Sequence, residues 1–193
     1  MTAETRPESD ILINGGGMVG LALALGLAHA GFSVTVLDAQ PASPAVDSLR
    51  AALTSAAFDT RVSALTAASA KWLQQLGVWD TLAGLRVCAY RDMEVWDGDG
   101  TGAIHFNAEE VHADNLGHIV ENRLLCAVLY DALRQLPSVR LCPQHTLTAI
   151  RLAQPISEVE CSDGAVFGCR LLIGADGGQI GRASCRERVC QYV

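Results

Sequence analysis

The fold of this chain is decided by Ile11–Asp38, which reads ILINGGGMVGLALALGLAHAGFSVTVLD. Asp10–Asn14 is a short apolar run that predicts a buried strand, and three glycines follow it. Met18–Ala30 is small and apolar on nearly every face, which predicts a helix buried on more than one side. Phe32–Leu37 is rich in β-branched residues and predicts a second strand. Together these segments predict a β-α-β unit with parallel strands and a right-handed crossover.

The glycine-rich turn inside this unit follows the pattern Gly15-x-Gly17-x-x-Gly20. The first glycine permits a tight turn, the second lets the backbone approach a pyrophosphate, and the third lets helix and strand pack closely. Met18 and Val19 are the first residues of the predicted helix. The N–H groups and partial positive charge at a helix N-terminus favour phosphate. The pattern, placed between a strand and a helix, predicts a dinucleotide-binding site.

An acidic residue, Asp38, ends the second predicted strand. A carboxylate at this position can accept hydrogen bonds from an adenosine ribose, and it would repel a 2′-phosphate. NADP is therefore disfavoured in this crevice. The β-α-β unit alone does not distinguish FAD from NAD.

Two further features bear on the cofactor. Arg61, in DTRVSAL, lies just ahead of a predicted helix, where its charge could lie over a pyrophosphate or a flavin edge; alternatively it is a solvated surface residue. In LLIGADG a buried strand delivers Asp176 to the carboxyl edge of the sheet, where ligands bind in such folds. The alternative for Asp176 is an ordinary Asp-Gly turn.

The rest of the chain predicts a mixture of helices and antiparallel strands. In chain order the predicted elements are a loop over Gln40–Ser55, a helix over Ser63–Leu76, a hairpin of Arg91–Trp96 and Ala103–Phe106, a helix over Asn122–Leu136, and strands over Leu147–Leu152, Glu158–Cys161, Val166–Cys169 and Leu171–Ile173.

Composition excludes several classes of protein. Half of the residues are hydrophobic and 18% are charged, so a sizeable core is expected rather than general disorder. The formal charge of −7 argues against a nucleic-acid partner. Seven scattered cysteines without a CxxC pair predict reduced thiols in the cytosol and no zinc site. The apolar run Met18–Val36 is interpreted as a helix and a strand rather than a membrane span.

Five motifs, in this order, resemble the class A flavoprotein aromatic hydroxylases, the family of para-hydroxybenzoate hydroxylase, and within it the ubiquinone-biosynthesis hydroxylases. They are GGGMVGLALALGLAHAGFSVTVLD, DTRVSALTAASAKWLQQLGVWD, MEVWD, LGHIVENRLL and LLIGADG. The resemblance covers about residues 10–179. It implies an α/β fold, a Rossmann-like FAD-binding domain of the GR2 type, with part of an antiparallel substrate-domain sheet in a hairpin at about residues 88–118.

The resemblance also implies which residues contact the cofactor. The ADP part of FAD is expected at Gly15, Gly17, Gly20 and Asp38, with Met18 and Val19 at the start of the helix. Arg61 matches an arginine that contacts FAD, Asn122 matches a polar contact, and Arg123 beside it is a less specific candidate. Asp176 and Gly177 match an Asp-Gly motif linked to the FAD pyrophosphate and to NAD(P)H use.

In such enzymes NAD(P)H reduces the flavin, and oxygen is transferred to an electron-rich phenol. The resemblance therefore implies an FAD-dependent monooxygenase that hydroxylates a polyprenyl phenol or quinol in ubiquinone biosynthesis. It implies a cytoplasmic location, with association at the inner membrane or with other quinone-pathway proteins. No side chain is predicted to be catalytic, because the flavin carries the chemistry.

Two alternatives of other kinds stay open at this point. One is a non-catalytic module that binds FAD or another dinucleotide without turnover. The other is a different flavin oxidoreductase, such as an NADH-linked reductase, although the chain has no second GxGxxG. The ring position that is hydroxylated and the choice between NADH and NADPH are also open.

The sequence divides into three parts. Residues 1–9 are expected to be a leader, residues 10–179 the FAD-binding domain, and residues 180–193 a non-native tail. Ile180 stands where the family usually has serine, and Arg182 falls one place before the usual arginine. We therefore expect an N-terminal fragment of a longer hydroxylase, and whether it is active alone is open.

Overall fold

The computed structural model describes residues 9–53, 58–98 and 100–177. Its elements in chain order are β1 (Ser9–Asn14), α1 (Met18–His29), β2 (Val34–Asp38), α2 (Val46–Leu53), β3 (Val62–Thr66), α3 (Ala67–Gln75), α4 (Trp79–Ala83), β4 (Val87–Tyr90), β5 (Asp92–Trp96), β6 (Ala103–Asn107), a 3₁₀ turn (Ala108–Val111), β7 (Gly117–Glu121), α5 (Asn122–Arg134), β8 (Val139–Pro143), β9 (Leu147–Arg151), β10 (Ser157–Cys161) and β11 (Val166–Gly174). They form two compact units. Of the described residues, those up to Ala45 and from Leu129 onward form the first unit, and those within Val46–Val128 form the second.

The first unit contains a six-stranded sheet in the order β8-β2-β1-β11-β10-β9. β1 is parallel to β2 and to β11, and β2 is parallel to β8. β10 is antiparallel to β11 and to β9. The predicted β-α-β unit with parallel strands is therefore confirmed, and the sheet as a whole is mixed.

The core of the first unit follows from the apolar strands. Leu12 and Ile13 of β1 and Leu37 of β2 have no exposed surface, and burying a side chain of this size contributes about 1.5–3 kcal/mol. In α1 the buried positions lie between Gly20 and Leu25, whereas Val19 is 67% exposed. The helix is therefore buried less completely than its composition predicts.

β11 is one continuous strand, although the sequence predicts two strands here. Its first residues, 166–169, pair with β10, and residues 169–174 pair with β1. Cys169 is the point of change, because it is opposite Ser157 on one side and Ser9 on the other. Each half gains ladder hydrogen bonds from a different neighbour, so the strand continues through the charged Arg170.

The second unit contains a three-stranded antiparallel sheet, β3-β7-β4, and the separate hairpin β5-β6. The predicted hairpin is confirmed. The helix predicted over Ser63–Leu76 is wrong in its first turn, because Ser63–Thr66 pairs with β7 and the helix begins at Ala67. The loop predicted over Gln40–Ser55 is also wrong in part, because it contains α2.

Other predicted elements agree with the structure to within a few residues. α5 lies within the predicted helix Asn122–Leu136, and β9 and β10 match their predicted strands. β4, β7, β8 and α4 were not predicted. None of the helices in the described segments has both the length and the apolar character needed to cross a membrane.

Candidate functional site

The turn after β1 depends on Gly15. Its φ is +122°, a conformation that side chains disfavour, and a Cβ atom there would collide with the backbone of Ala175. The Gly15 N–H donates to the carbonyl of Leu37 at 2.8 Å, which ties the turn to β2. The turn therefore lies against the ends of both neighbouring strands, β2 and β11.

Gly17 and Gly20 have opposite surroundings. A Cβ atom on Gly20 would collide with the carbonyl oxygen of Gly15, so the third glycine permits close packing of α1 on the turn. A Cβ atom on Gly17 would meet nothing within 4 Å. The space beside Gly17 is open, as required for a backbone that a pyrophosphate approaches.

The N-terminus of α1 is suited to an anion. Gly17 is the N-cap residue, so no side chain caps the helix, and the first turn contains no acidic residue. The first helical hydrogen bond is donated by the Leu21 N–H to the Gly17 carbonyl at 2.9 Å. The N–H groups at the start of a helix point out of its end, and with the helix dipole they favour a phosphate. These residues therefore fit the pyrophosphate of a dinucleotide.

The carboxylate of Asp38 lies beside the turn. Its Oδ2 accepts a hydrogen bond from the Gly16 N–H, and its Oδ1 accepts one from the Gln40 N–H at 2.6 Å. A Cβ atom on Gly16 would lie 2.8 Å from Oδ2, so the middle glycine also has a steric role. A carboxylate oxygen can accept more than one hydrogen bond, so Asp38 is oriented and can still bind a ribose hydroxyl.

Asp176 lies at the same edge of the sheet as Gly15. β1 and β11 are parallel, and the Ala175 N–H donates to the Asn14 carbonyl at 2.7 Å. The Asn14 side chain donates from Nδ2 to Asp176 Oδ2 at 3.1 Å. Gly177 follows with a φ of +54°. The structure thus brings Asp176 beside the glycine-rich turn, and its contact with FAD stays a prediction.

The other predicted contacts, Arg61, Asn122 and Arg123, lie together in the second unit. The Asn122 N–H donates to the Arg61 carbonyl at 3.0 Å, and Ser63 Oγ donates to Asn122 Oδ1 at 2.6 Å. These bonds join the start of β3 to the start of α5. β3 pairs with β7, and α5 follows β7 directly along the chain. That these three residues contact FAD stays a prediction.

A buried carboxylate, Glu121, underlies this group. It ends β7, is 3% exposed, and lies 3.2 Å from Arg86 Nη1 and 2.7 Å from Arg123 Nη2. Burial raises the pKa of Glu121, but a hydrogen bond from the Asp59 N–H and the charges of the two arginines outweigh it. The pKa of Glu121 therefore lies below its ordinary value of 4.5. The carboxyl group is ionised at neutral pH.

Comparison with known proteins agrees with this geometry. Residues 10–93 match the family described as FAD dependent oxidoreductase. The chain is 41% identical over 174 residues to 3-demethoxyubiquinol 3-hydroxylase of Escherichia coli (strain K12), covering 90% of this chain and 42% of the relative. The chain is a homologue of the ubiquinone hydroxylases. The resemblance identified from the five motifs is confirmed.

Other relatives give the same result. Ubiquinone hydroxylase UbiL of Rhodospirillum rubrum is 34% identical, with 92% of this chain and 39% of the relative covered. The human ubiquinone biosynthesis monooxygenase COQ6 is 31% identical, with 91% of this chain and 38% of the relative covered. The chain therefore spans about two fifths of the length of these relatives.

Solved structures support the fold. The p-nitrophenol 4-monooxygenase PnpA of Pseudomonas putida DLL-E4 superposes with a TM-score of 0.66 at 21% identity, covering 91% of this chain and 42% of that one. P. aeruginosa PqsL in complex with 2-aminobenzoylacetate gives a TM-score of 0.63 at 22% identity, with coverage of 87% and 42%. The predicted Rossmann-like FAD-binding fold is confirmed.

Three residues with contacts at these positions were not among the predicted ones: Asn14, Gly16 and Glu121. The fingerprint requires Gly15 and Gly17 but not the glycine between them, and that additional glycine could have identified Gly16. A polar residue at the end of an apolar strand could have identified Asn14. Glu121 gave no such signal, because its partners Asp59 and Arg86 lie far from it along the chain.

Proposed function

We propose that the first unit binds the ADP part of FAD at the glycine-rich turn. The pyrophosphate lies at the N-terminus of α1 beside Gly17, and Asp38 accepts hydrogen bonds from the ribose. The observation that carries this proposal is the pairing of an uncapped, acid-free helix N-terminus with open space at Gly17. The match of residues 10–93 to the FAD dependent oxidoreductases supports FAD over NAD.

For the whole activity we propose an FAD-dependent monooxygenase that uses NAD(P)H and O₂ to hydroxylate the ring of a polyprenyl phenol or quinol. The similarity to ubiquinone hydroxylases at 31–41% identity supports this proposal. Bound FAD would supply the reduction and oxygen activation. The residues of this chain bind and orient the cofactor, and Asp176, held by Asn14, lies at the same sheet edge. We place the protein in the cytoplasm, in association with the membrane surface or quinone-pathway proteins.

A non-catalytic dinucleotide-binding module is the second candidate. One observation favours it: the glycine-rich turn and the oriented Asp38 carboxylate suit the ADP part of a cofactor, and binding ADP does not require turnover. A different flavin oxidoreductase would instead reduce an acceptor other than O₂ while it consumes NADH.

Oxygen labelling distinguishes these candidates. The purified chain is supplied with FAD, NADPH or NADH, ¹⁸O₂ and a short-chain phenolic precursor of ubiquinone, and the products are analysed by mass spectrometry. Our proposal predicts one ¹⁸O atom in the ring of the product and matched oxidation of the nicotinamide. FAD binding without nicotinamide oxidation would favour the non-catalytic module. Nicotinamide oxidation without label in the ring would favour another oxidoreductase.

A further inference from the structure

Glu121 is a buried carboxylate with three partners from separate parts of the second unit. Its Oε2 accepts from the Asp59 N–H at 3.0 Å and from Arg123 Nε at 2.9 Å, and its Oε1 accepts from Arg86 Nη1 at 3.2 Å. Its side chain is 4% exposed, so the carboxylate itself lies almost wholly away from water. A buried carboxylate with these donors fixes the position of each donor, because an unpaired charge there would be costly.

Two of the three donors, Asp59 and Arg123, belong to the segments that carry the predicted flavin contacts. Asp59 precedes Arg61, and its Oδ1 accepts from the Arg61 N–H at 2.9 Å. Asn122 follows Glu121 directly and donates its N–H to the Arg61 carbonyl. The carboxylate therefore holds the backbone of residues 59–61 against the start of α5.

Arg61 and Arg123 differ in their surroundings. Arg123 forms ion pairs with Glu121 at 2.7 Å and with Asp59 at 3.8 Å, and its side chain is 33% exposed. Arg61 is exposed, and its guanidinium forms no ion pair with any residue in the part of the chain that the structure describes. Of the two, Arg61 is the cation suited to an anionic ligand.

We propose that Glu121 is a positioning residue for flavin binding, and that Arg123 acts through Glu121 and does not contact FAD. This inference rests on the proposed function. Arg61 is then the arginine that contacts the cofactor. Arg123 pairs with the Glu121 carboxylate and keeps it hydrogen-bonded to the Asp59 N–H.

A double-mutant cycle on FAD affinity tests this inference. FAD dissociation constants are measured by flavin fluorescence for the wild-type chain, Glu121→Gln, Arg123→Gln and the double variant, each shown to be folded by circular dichroism. We expect Arg123→Gln to weaken binding about tenfold in the wild-type background and less than about twofold in the Glu121→Gln background. Equal weakening in both backgrounds would show that Arg123 contacts FAD and would overturn the inference.

Glu109→Gln is the matched control, because Glu109 is 79% exposed and pairs with Arg91 at 3.5 Å in the same unit. We expect it to leave FAD affinity unchanged. A loss as large as that of Glu121→Gln would overturn the inference. If the wild-type chain binds no FAD, both the proposed function and the flavin role of Glu121 fail. If the wild-type chain binds FAD and the effects of the two substitutions on affinity are additive, only this inference fails.

Amide hydrogen exchange keeps the inference testable if Glu121→Gln does not fold. We expect Arg123→Gln to weaken FAD binding and to speed exchange at the Asp59 amide, whose acceptor is Glu121. Arg61→Gln should weaken FAD binding and leave that exchange unchanged. If Arg123→Gln weakens binding with no change at Asp59, Arg123 acts on FAD directly and the inference fails.

Discussion

At the scale of single residues, the four glycine and acid positions of the first unit have separate roles. Gly15 adopts a backbone conformation that disfavours a side chain, Gly20 provides close packing, and Gly17 leaves open space. Asp38 is oriented by the Gly16 N–H. The fingerprint could be predicted because its four positions lie within one short β-α-β segment. The bond between Asn14 and Asp176 could not, since it joins residues 162 positions apart.

The contrast between Gly20 and Gly17 predicts different effects on stability. Alanine at 20 gains about 1 kcal/mol of helix propensity, but its Cβ would meet the Gly15 carbonyl, which cannot rotate away. We expect overpacking to dominate and Gly20→Ala to lower the free energy of unfolding by about 1–3 kcal/mol. Gly17→Ala, with nothing near its Cβ, should lower the free energy of unfolding by only about 0.5 kcal/mol, because alanine is a poorer N-cap than glycine. Urea unfolding of both variants checks this, and equal stabilities would contradict the packing assigned to Gly20.

The lowered pKa of Glu121 predicts a specific dependence on pH. The folded-state pKa of Glu121 lies below the ordinary 4.5. The ionised carboxylate therefore stabilises the fold at pH values above 4.5, and this stabilisation is lost as the pH falls through the folded-state pKa. Glu121→Gln should therefore be less stable than wild type at pH 7, by about 1–3 kcal/mol. The difference should narrow below pH 4.5. Urea unfolding between pH 7 and pH 3 measures it, and a difference independent of pH would contradict the assignment.

At the scale of elements, the structure differs from the sequence prediction where pairing is non-local. Ser63–Thr66 was predicted as helix because Leu65 continues the helical spacing of the apolar residues Trp72, Leu73 and Leu76. Its strand state comes from β7, more than fifty residues away. β8 is short and includes Arg140, and its strand state depends on β2. β1, α1 and β2 were predicted well because their apolar pattern and glycine turn are local.

β8, β10 and β11 each place a cysteine in one buried cluster: Cys142, Cys161 and Cys169. Burial raises the pKa of Cys169 to about 11, whereas Cys88 in β4 is exposed. Thiolate is the reactive form, so iodoacetamide at pH 8 should modify Cys88 quickly and leave Cys169 unmodified. Peptide mass mapping checks this, with the chain in urea as the control in which both react. Equal labelling in the native chain would contradict the buried sheet.

At the scale of the whole molecule, the chain leaves the first unit at Ala45 and returns to it at Leu129. The residues proposed to contact ADP lie in the first unit with Asp176, and Arg61, Asn122 and Arg123 lie in the second. Asn122 and Arg123 were predicted only through the resemblance to known hydroxylases. Residue patterns alone identified the first group, because its fingerprint is compact. The Glu121 network joins residues 59, 86, 121 and 123, and no local pattern indicates it.

Titration of the purified chain with FAD tests the central claim most directly. We predict saturable binding that Gly17→Val weakens at least about tenfold, because the added side chain fills the space for the pyrophosphate. Asp38→Ala should also weaken binding, by about fivefold to thirtyfold, because a hydrogen bond to a charged group is lost. Gly102→Val is the control: its Cβ also meets nothing within 4 Å, and it lies in the β5–β6 hairpin turn. Binding that is absent, or that Gly17→Val and Gly102→Val affect equally, would contradict the account.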